Sequence, residues 1–182
     1  MKFSNQADTI LLLSLQEAHR TGHRTVLSGH ILLALLRLEG NAGLQTLRLM
    51  GVDVKRLKSR IDEVYMKEAL AYDEEIFVGK EAYYLLERAQ FISEGRSSDR
   101  ISSCDLLLSL SLSGDIGQDT ARLLGQEGAG FEEIKEYLGK NPGIRDAEQK
   151  DPAQEREQLR LMMDSLAMRI ASKGGEKKNP AS

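Results

Sequence analysis

The first 141 residues contain no proline, the residue that most strongly interrupts helices. The three prolines, Pro142, Pro152 and Pro180, all lie near the C-terminal end. Because proline lacks a backbone donor and clashes with the preceding turn, its absence leaves residues 1–141 free to form uninterrupted helices. No stretch alternates apolar and polar residues as a half-buried strand would. The sequence therefore predicts an all-α fold.

Cysteine and aromatic residues are also scarce. The chain has one cysteine, Cys104, which excludes an intrachain disulfide and fits a reducing compartment. Tryptophan is absent, aromatic residues make up 5% of the chain, and the net charge is −3. Such a chain offers few platforms for stacking bases and no general attraction to nucleic acid or to anionic membranes. Neither is expected as a partner.

The sequence shows neither a membrane-spanning segment nor a targeting peptide. The longest apolar stretch, residues 31–38, is too short to span a bilayer and contains Arg37. The first eight residues are polar and include Asp8, unlike a secretory or transit peptide. We therefore expect a cytoplasmic protein.

Apolar residues recur at helical spacing between glycines that stand where helices would end. A first helix is predicted from a Ser4 N-cap to about Arg20, and a second begins at a Ser28 cap. A third spans about residues 42–50, and a fourth follows an Asp53 cap.

The same pattern returns after 75 residues. This shift places Ser28 on Ser103 and Leu32 on Leu107. The matched positions are caps, helix ends and apolar contacts, which together define a repeated structural unit. The duplication predicts one domain, residues 1–139, built from two pseudo-symmetric four-helix repeats at about 3–66 and 77–139.

The C-terminal part of the chain differs in composition. Residues 140–150 are predicted to be a linker, residues 151–172 an amphipathic helix, and residues 173–182 a disordered tail. The helix carries an apolar stripe at close to heptad spacing. The residues of this stripe are Leu159, Met162, Met163, Leu166 and Ile170.

Four short motifs in this order resemble the Clp N-terminal repeat. They are F-S-x-x-A at residues 3–7, G-H at 22–23, S-G-H-I-L-L-A-L-L at 28–36 and G-V-D at 51–53. The usual first repeat has an aromatic-Thr-x-x-Ala start, a Gly-His pair and a Thr-Glu-His opening to an apolar helix. The resemblance extends to the second, degenerate copy and covers roughly residues 1–139.

The resemblance implies a binding role. In hexameric unfoldases such as ClpA, ClpC and ClpB, this domain receives substrates, adaptors or degradation-marked segments. The present sequence lacks the G-x-x-x-x-G-K-[ST] loop that cradles nucleotide phosphates, so it is expected to be a free-standing relative or a fragment, with no cofactor and no catalysis. The implied function is a protein- or peptide-binding module of the Clp chaperone–protease system. It would act as an adaptor, substrate-receiving or regulatory subunit, with Clp ATPase or peptidase components or their substrates as partners.

The resemblance also places the binding residues near the helix caps, at Ser4, Ser28, Gly29, Ser103 and Cys104. In ClpC-like members, an acidic residue after each cap threonine helps to hold phosphorylated arginine. Gly29 and Cys104 stand at these two positions, and an aspartate, at position 105, replaces the second histidine. The carboxylates that recognise phosphoarginine are therefore absent from their usual places.

Catalytic and metal chemistry have weaker support. His19, His23 and His30 invite a metal interpretation, but Gly22 should end the helix between the first two, and packing or capping roles are favoured. Cys104 is predicted to lie at a helix start, where a thiol could act as a nucleophile. A role as a buried small residue is favoured, because no histidine follows it in the chain. We expect no metal site and no catalytic residue.

The C-terminal stripe leaves two alternatives open. It either folds back over the domain or binds another helix, since methionine suits adaptable interfaces. The second alternative predicts a different function, namely a structural or regulatory homodimer that binds an unrelated partner through this helix.

Overall fold

The computed structural model describes residues 1–68, 70–71, 73–148, 156–157 and 159–168. Helices dominate, so the predicted all-α class is confirmed. The first repeat contains α1 (Asn5–Arg20), α2 (Ser28–Arg37), α3 (Ala42–Leu49) and α4 (Val54–Tyr65). The second contains α5 (Lys80–Gly95), α6 (Ser103–Ser111), α7 (Gln118–Gln126) and α8 (Phe131–Lys140), and α9 (Gly143–Glu148) follows. Two short strands are β1 (Thr25–Val26) and β2 (Phe77–Val78).

Side-chain caps set several helix starts as the sequence predicts. The Ser4 hydroxyl accepts a hydrogen bond from the Ala7 backbone N–H at 3.1 Å, and the Asp53 carboxylate accepts one from the Arg56 N–H at 3.1 Å. Each acceptor satisfies a donor that the first turn of a helix leaves unpaired.

The predicted caps of α2 and α6 are wrong by one residue. Ser28 and Ser103 are the first residues of their helices, and the N-caps are Leu27 and Ser102. In both helices, the side chain of the third residue completes the cap by accepting a hydrogen bond from the backbone N–H of the N-cap residue. His30 Nδ1 does this for Leu27 at 2.9 Å.

The strands join the two repeats. β1 pairs with β2 in parallel, with Val26 opposite Val78, and a separate parallel bridge joins Phe3 to Ile101. The 75-residue shift converts one pair into the other. In both pairs, the segment before the first helix of one repeat pairs with the segment before the second helix of the other repeat. Two residues are too few to show an alternating pattern, and the sequence therefore did not predict these strands.

The core is built around α2 and α6. Residues 28–36 of α2 and all of α6 are buried, and α6 packs against helices of both repeats. Such continuous burial explains why these segments lack a polar face. The amphipathic α1, α4, α7 and α8 surround them.

The predicted linker at 140–150 is partly wrong. Residues 143–148 form α9, which packs on α3 with Ile144 buried. Beyond α9, residues 156–157 and 159–168 are helical and are called the C-terminal helix below. The expectation for residues 173–182 lies outside the described residues. Within the described part of the chain, no helix combines the length and apolarity that a membrane span requires.

Candidate functional site

The cap residues that the resemblance points to lie inside the domain. Ser4, Ser28, Ser103 and Cys104 are each 8% exposed or less, and Gly29 is also buried. The structure divides them between two sites, one at the N-terminus of α2 and one at the N-terminus of α6. In both, a carboxylate from elsewhere in the chain meets the first backbone N–H of the helix.

At the N-terminus of α2, that carboxylate belongs to the second repeat. The Ser28 N–H donates to Glu81 Oε1 on α5 at 2.9 Å, while the Ser28 and Tyr65 hydroxyls lie 3.4 Å apart. Because a helix N-terminus carries partial positive charge, a carboxylate is a favourable neighbour there. The chain itself therefore supplies the anion at this site.

At the N-terminus of α6, the carboxylate comes from α9. The Ser103 N–H lies 3.1 Å from Glu148 Oε1 and 3.3 Å from Oε2, and the Ser4 hydroxyl donates to Oε1 at 3.3 Å. Burial raises the pKa of Glu148 to about 7, although these hydrogen bonds act to lower it. Ser4 and Ser103 are thus brought together by Glu148, a residue of the predicted linker.

The two positions where ClpC-like members carry an acidic residue, Gly29 and Cys104, are both buried in this domain. A Cβ at Gly29 would lie 2.3 Å from Tyr65 Cε2, so the tyrosine ring occupies that space. The Cys104 thiol is buried against Thr46, with Sγ 3.9 Å from Oγ1, and burial raises its pKa to about 12. Cys104 is therefore a buried protonated thiol, as the favoured interpretation predicted.

The histidines have the predicted packing and capping roles. His30 contacts the Thr21 hydroxyl through Nε2 at 2.9 Å in addition to its contact with Leu27, and burial lowers its pKa to about 3. His23 Nε2 lies 2.7 Å from the Tyr65 carbonyl oxygen, and His19 Nε2 lies 2.8 Å from the Ala71 carbonyl oxygen. Among the residues that the structure describes, no group of three or more potential ligands could hold a metal ion.

A buried ion pair lies at the start of α6. Asp105 is fully buried, accepts the Ser102 N–H at 2.8 Å, and pairs with Arg96 at 2.5 Å. Arg145 on α9 lies 3.9 Å from the other carboxylate oxygen. Asp105 stands where the 75-residue shift places His30, and it performs the same capping role with a charged group.

An apolar groove runs along α1. It has a volume of about 600 Å³ and is closed on one side by the C-terminal helix. Ligand sites are concave and mostly apolar, and this volume is in the usual range of about 300–1,000 Å³. The groove-lining residues used below are Leu11, Leu12 and Leu15 of α1, Leu86 of α5, and Leu159 and Met162 of the C-terminal helix.

This groove was not predicted above, although the sequence contains a signal for it. The 75-residue shift places Leu12 on Glu87 and Leu15 on Gln90. The first helix of the first repeat is therefore apolar where its counterpart is polar. Leu12 and Leu15 are half-buried and line the groove, and an apolar surface beside an open groove is typical of an interaction site.

The predicted partner stripe is mostly exposed. Leu159 and Met162 line the groove, while Met163 and Leu166 are 61% and 55% exposed. Ile170 lies outside the described residues. The side of the helix that rests on the domain instead carries Leu161 and Ser165, which are half-buried.

The fold and these sites define a small helical repeat domain that buries its own helix termini and leaves an apolar groove. The family model of the Clp repeat (R) N-terminal domain matches residues 2–126, and the chain belongs to this family. A curated sequence from Chlamydia pneumoniae, named "Probable ATP-dependent Clp protease ATP-binding subunit", is 30% identical over 81 residues. That match covers 43% of this chain but only 10% of the relative, so the chain spans a small part of that protein.

Solved structures show the same fold. The Hsp104 N-terminal domain from Candida albicans superposes with a TM-score of 0.65 at 16% identity, covering 81% of this chain and 99% of that one. The N-domain of ClpV from Vibrio cholerae gives 0.65 at 19% identity and covers 80% and 86%. A complex of a ClpV N-domain with a VipB peptide gives 0.61 at 20% identity and covers 80% and 88%.

Proposed function

We propose that this chain is a non-catalytic protein-binding module of a Clp-type system and that it binds an apolar segment of its partner in the groove along α1. The observation that carries the proposal is the groove itself, an open apolar surface on a Clp N-terminal repeat domain. Leu12 and Leu15 contribute to it at positions where the second repeat has Glu87 and Gln90.

The relatives support a binding role of this kind. A ClpV N-domain of the same fold has been solved with a VipB peptide, so the scaffold suits peptide binding in at least that protein. The helix termini of the present chain are occupied by Glu81 and Glu148. Neither of these two glutamates is among the residues that line the groove. An adaptor, substrate-receiving or regulatory role in the cytoplasm follows from this proposal.

The test is a crosslinking pull-down from the native cell with wild-type chain, Leu12→Glu and Phe91→Glu. Leu12→Glu places a charge in the groove, whereas Phe91 is 78% exposed on α5 and serves as the matched control. We expect wild type and Phe91→Glu to recover a Clp ATPase, a Clp peptidase or their substrates, and Leu12→Glu to lose them. Recovery of none of these by wild type, or equal recovery by Leu12→Glu, contradicts the proposal.

A homodimer formed through the C-terminal helix is the second candidate function. The exposed side chains of Met163 and Leu166 favour it, because apolar stripes of this kind pair with other helices. Light scattering of wild type and of Met163→Glu/Leu166→Glu separates the two functions. A dimeric mass that becomes monomeric in the variant supports the homodimer, and a monomer in both removes it.

A further inference from the structure

Two aromatic side chains lie exposed on the outer face of α5. Phe91 is 78% exposed and Tyr84 is 47% exposed, and their spacing of seven residues places them on one side of the helix. At about 100° per residue, Tyr84 lies about 160° around the helix from Leu86, which lines the groove along α1. The outer face of α5 is therefore a surface separate from that groove.

The first repeat has polar residues at the two corresponding positions. The 75-residue shift places Tyr84 on Thr9, which is buried, and Phe91 on Gln16. The Gln16 side-chain amide donates a hydrogen bond to the Ser165 hydroxyl of the C-terminal helix. A helix thus covers the position on α1 that corresponds to Phe91, whereas Phe91 itself faces solvent.

The same face of α5 holds a half-buried arginine. Arg88 donates hydrogen bonds to the Ser109 hydroxyl at 3.3 Å and to the Ser109 carbonyl oxygen at 2.6 Å. Within the described part of the chain it has no carboxylate partner, and burial lowers the pKa of its guanidinium. A guanidinium carries five N–H donors, so Ser109 holds it in place while donors remain for another acceptor. Tyrosine, phenylalanine and arginine are residues that protein interfaces favour at their centres.

The order of charges along this face makes it complementary to itself. Its outward side chains, from the N-terminal end of α5, are Lys80, Tyr84, Glu87, Arg88, Phe91 and Glu94. A second copy that runs antiparallel about a two-fold axis between Glu87 and Arg88 sets Tyr84 opposite Phe91 of that copy. The same axis brings Lys80 close to Glu94 of the second copy, and Glu87 close to its Arg88. Each charge therefore meets the opposite charge, and each aromatic ring meets another.

We propose that the outer face of α5 is a self-association surface on which two copies of this chain pack antiparallel. Contacts related by a two-fold axis are the commonest in soluble homo-oligomers. The aromatic rings contribute apolar burial, and the complementary charges set the direction and the register. Two helices that cross once bury less than the roughly 1,200–2,000 Å² of a stable interface, so the dimer forms in a concentration-dependent equilibrium.

Sedimentation equilibrium of the full chain from about 10 μM to 1 mM, the range of a weak association, measures this equilibrium. We expect the mass of wild type to rise from 20.3 kDa towards twice that value. Phe91→Glu should keep the monomer mass at every concentration. Met163→Glu is the matched control, because it adds the same charge at a residue that is 61% exposed on the C-terminal helix. It should associate as wild type does.

Self-association and partner binding have separate readouts. Phe91 does not line the groove, so Phe91→Glu should still recover Clp components in the pull-down as a monomer. A photoreactive residue at position 91 should crosslink to a second copy of the chain. That product has twice the chain mass and contains neither a Clp ATPase, a Clp peptidase nor a substrate.

Two charge variants test the antiparallel arrangement. Lys80→Glu places like charges beside Glu94 of the second copy, and Glu94→Lys places like charges beside Lys80. Each variant alone should associate about tenfold more weakly than wild type, because two ion pairs become repulsive. A one-to-one mixture of the two variants pairs opposite charges again and should regain the association. A wild type that stays monomeric, a dimer that survives Phe91→Glu, or a mixture that associates no better than its components overturns the proposal.

Discussion

The backbone N–H of Ser103 lies within hydrogen-bond distance of both carboxylate oxygens of Glu148, at 3.1 and 3.3 Å. This contact joins the first turn of α6 to the last residue of α9, 45 positions later in the chain. The hydroxyl of Ser4 binds the same carboxylate, so one side chain connects the starts of α1 and α6. Glu148 thereby anchors the segment that precedes the C-terminal helix.

Replacing Glu148 should therefore destabilise the whole domain. Glu148→Ala leaves the Ser103 N–H and the Ser4 hydroxyl without this acceptor, and we expect a loss of about 1–3 kcal/mol in the free energy of unfolding. Urea denaturation followed by circular dichroism measures it. Asp146→Ala, an exposed change on the same helix, should lie within about 0.5 kcal/mol of wild type. Equal losses in the two variants would contradict this role.

The same residue predicts a pH dependence. Burial, with Asp105 nearby, raises the pKa of Glu148 from 4.5 to about 7, and the folded state therefore binds its proton more tightly than the unfolded chain. The stability that Glu148 contributes should be present below pH 4.5 and lost as the pH rises through 7. Cys104, Arg96 and Arg145 are the other titratable groups around it.

The measurement is the difference in unfolding free energy between wild type and Glu148→Gln from pH 4.5 to 8. Wild type should become less stable relative to Glu148→Gln as the pH rises. The pH dependence that His30 contributes has the opposite sign. Because its folded-state pKa of about 3 lies below 6.5, the stability that it contributes is lost as the pH falls below 6.5. Both proteins contain His30, so its contribution cancels in the difference. A difference that is constant with pH would show that Glu148 titrates normally.

Gly29 should tolerate no side chain. An alanine Cβ there would lie 2.3 Å from the Tyr65 ring, and we expect Gly29→Ala to cost about 1–3 kcal/mol through overpacking. Gly95→Ala is the control, since a Cβ at Gly95 meets open space. The cost at Gly29 should shrink in a Tyr65→Ala background. If thermal denaturation shows the same small effect for both glycines, the ring does not define this position.

Cys104 should be chemically inert in the folded protein. Burial raises the pKa of its thiol to about 12, so no reactive thiolate forms at pH 8. We expect a colorimetric disulfide reagent to label the native chain only at the rate of its unfolding, and to label one thiol at once in denaturant. Immediate labelling of the native chain would place Cys104 at the surface.

The helix pattern could be predicted from the sequence because it depends on local signals. Ser4 and Asp53 are caps, and the repeat shift located the second set of helices. The N-caps of α2 and α6 lie one residue before the predicted serines, because side chains at the third helical position complete both caps. There, His30 and Asp105 perform one capping role with different chemistry, which a search for identical residues does not find.

The candidate site was harder to predict because it depends on contacts between distant segments. Asn141-Pro142-Gly143 has the composition of a linker, yet Ile144 and Glu148 provide enough contacts to dock α9 on the domain. The groove was detectable in principle, since Leu12 and Leu15 break the internal symmetry. What the sequence does not show is that Leu161 and Ser165 rest on the domain while Met163 and Leu166 of the apolar stripe remain exposed.

Site-specific photocrosslinking in the native cell tests most directly whether the groove along α1 is the binding surface. A photoreactive phenylalanine analogue replaces Leu12 in one variant and Phe91 in the other, which compares the groove with an exposed apolar position on α5. We predict that the probe at position 12 crosslinks to a Clp component or a Clp substrate and that the probe at position 91 does not. Crosslinks of equal yield from both positions, or crosslinks from position 91 alone, would contradict the assignment.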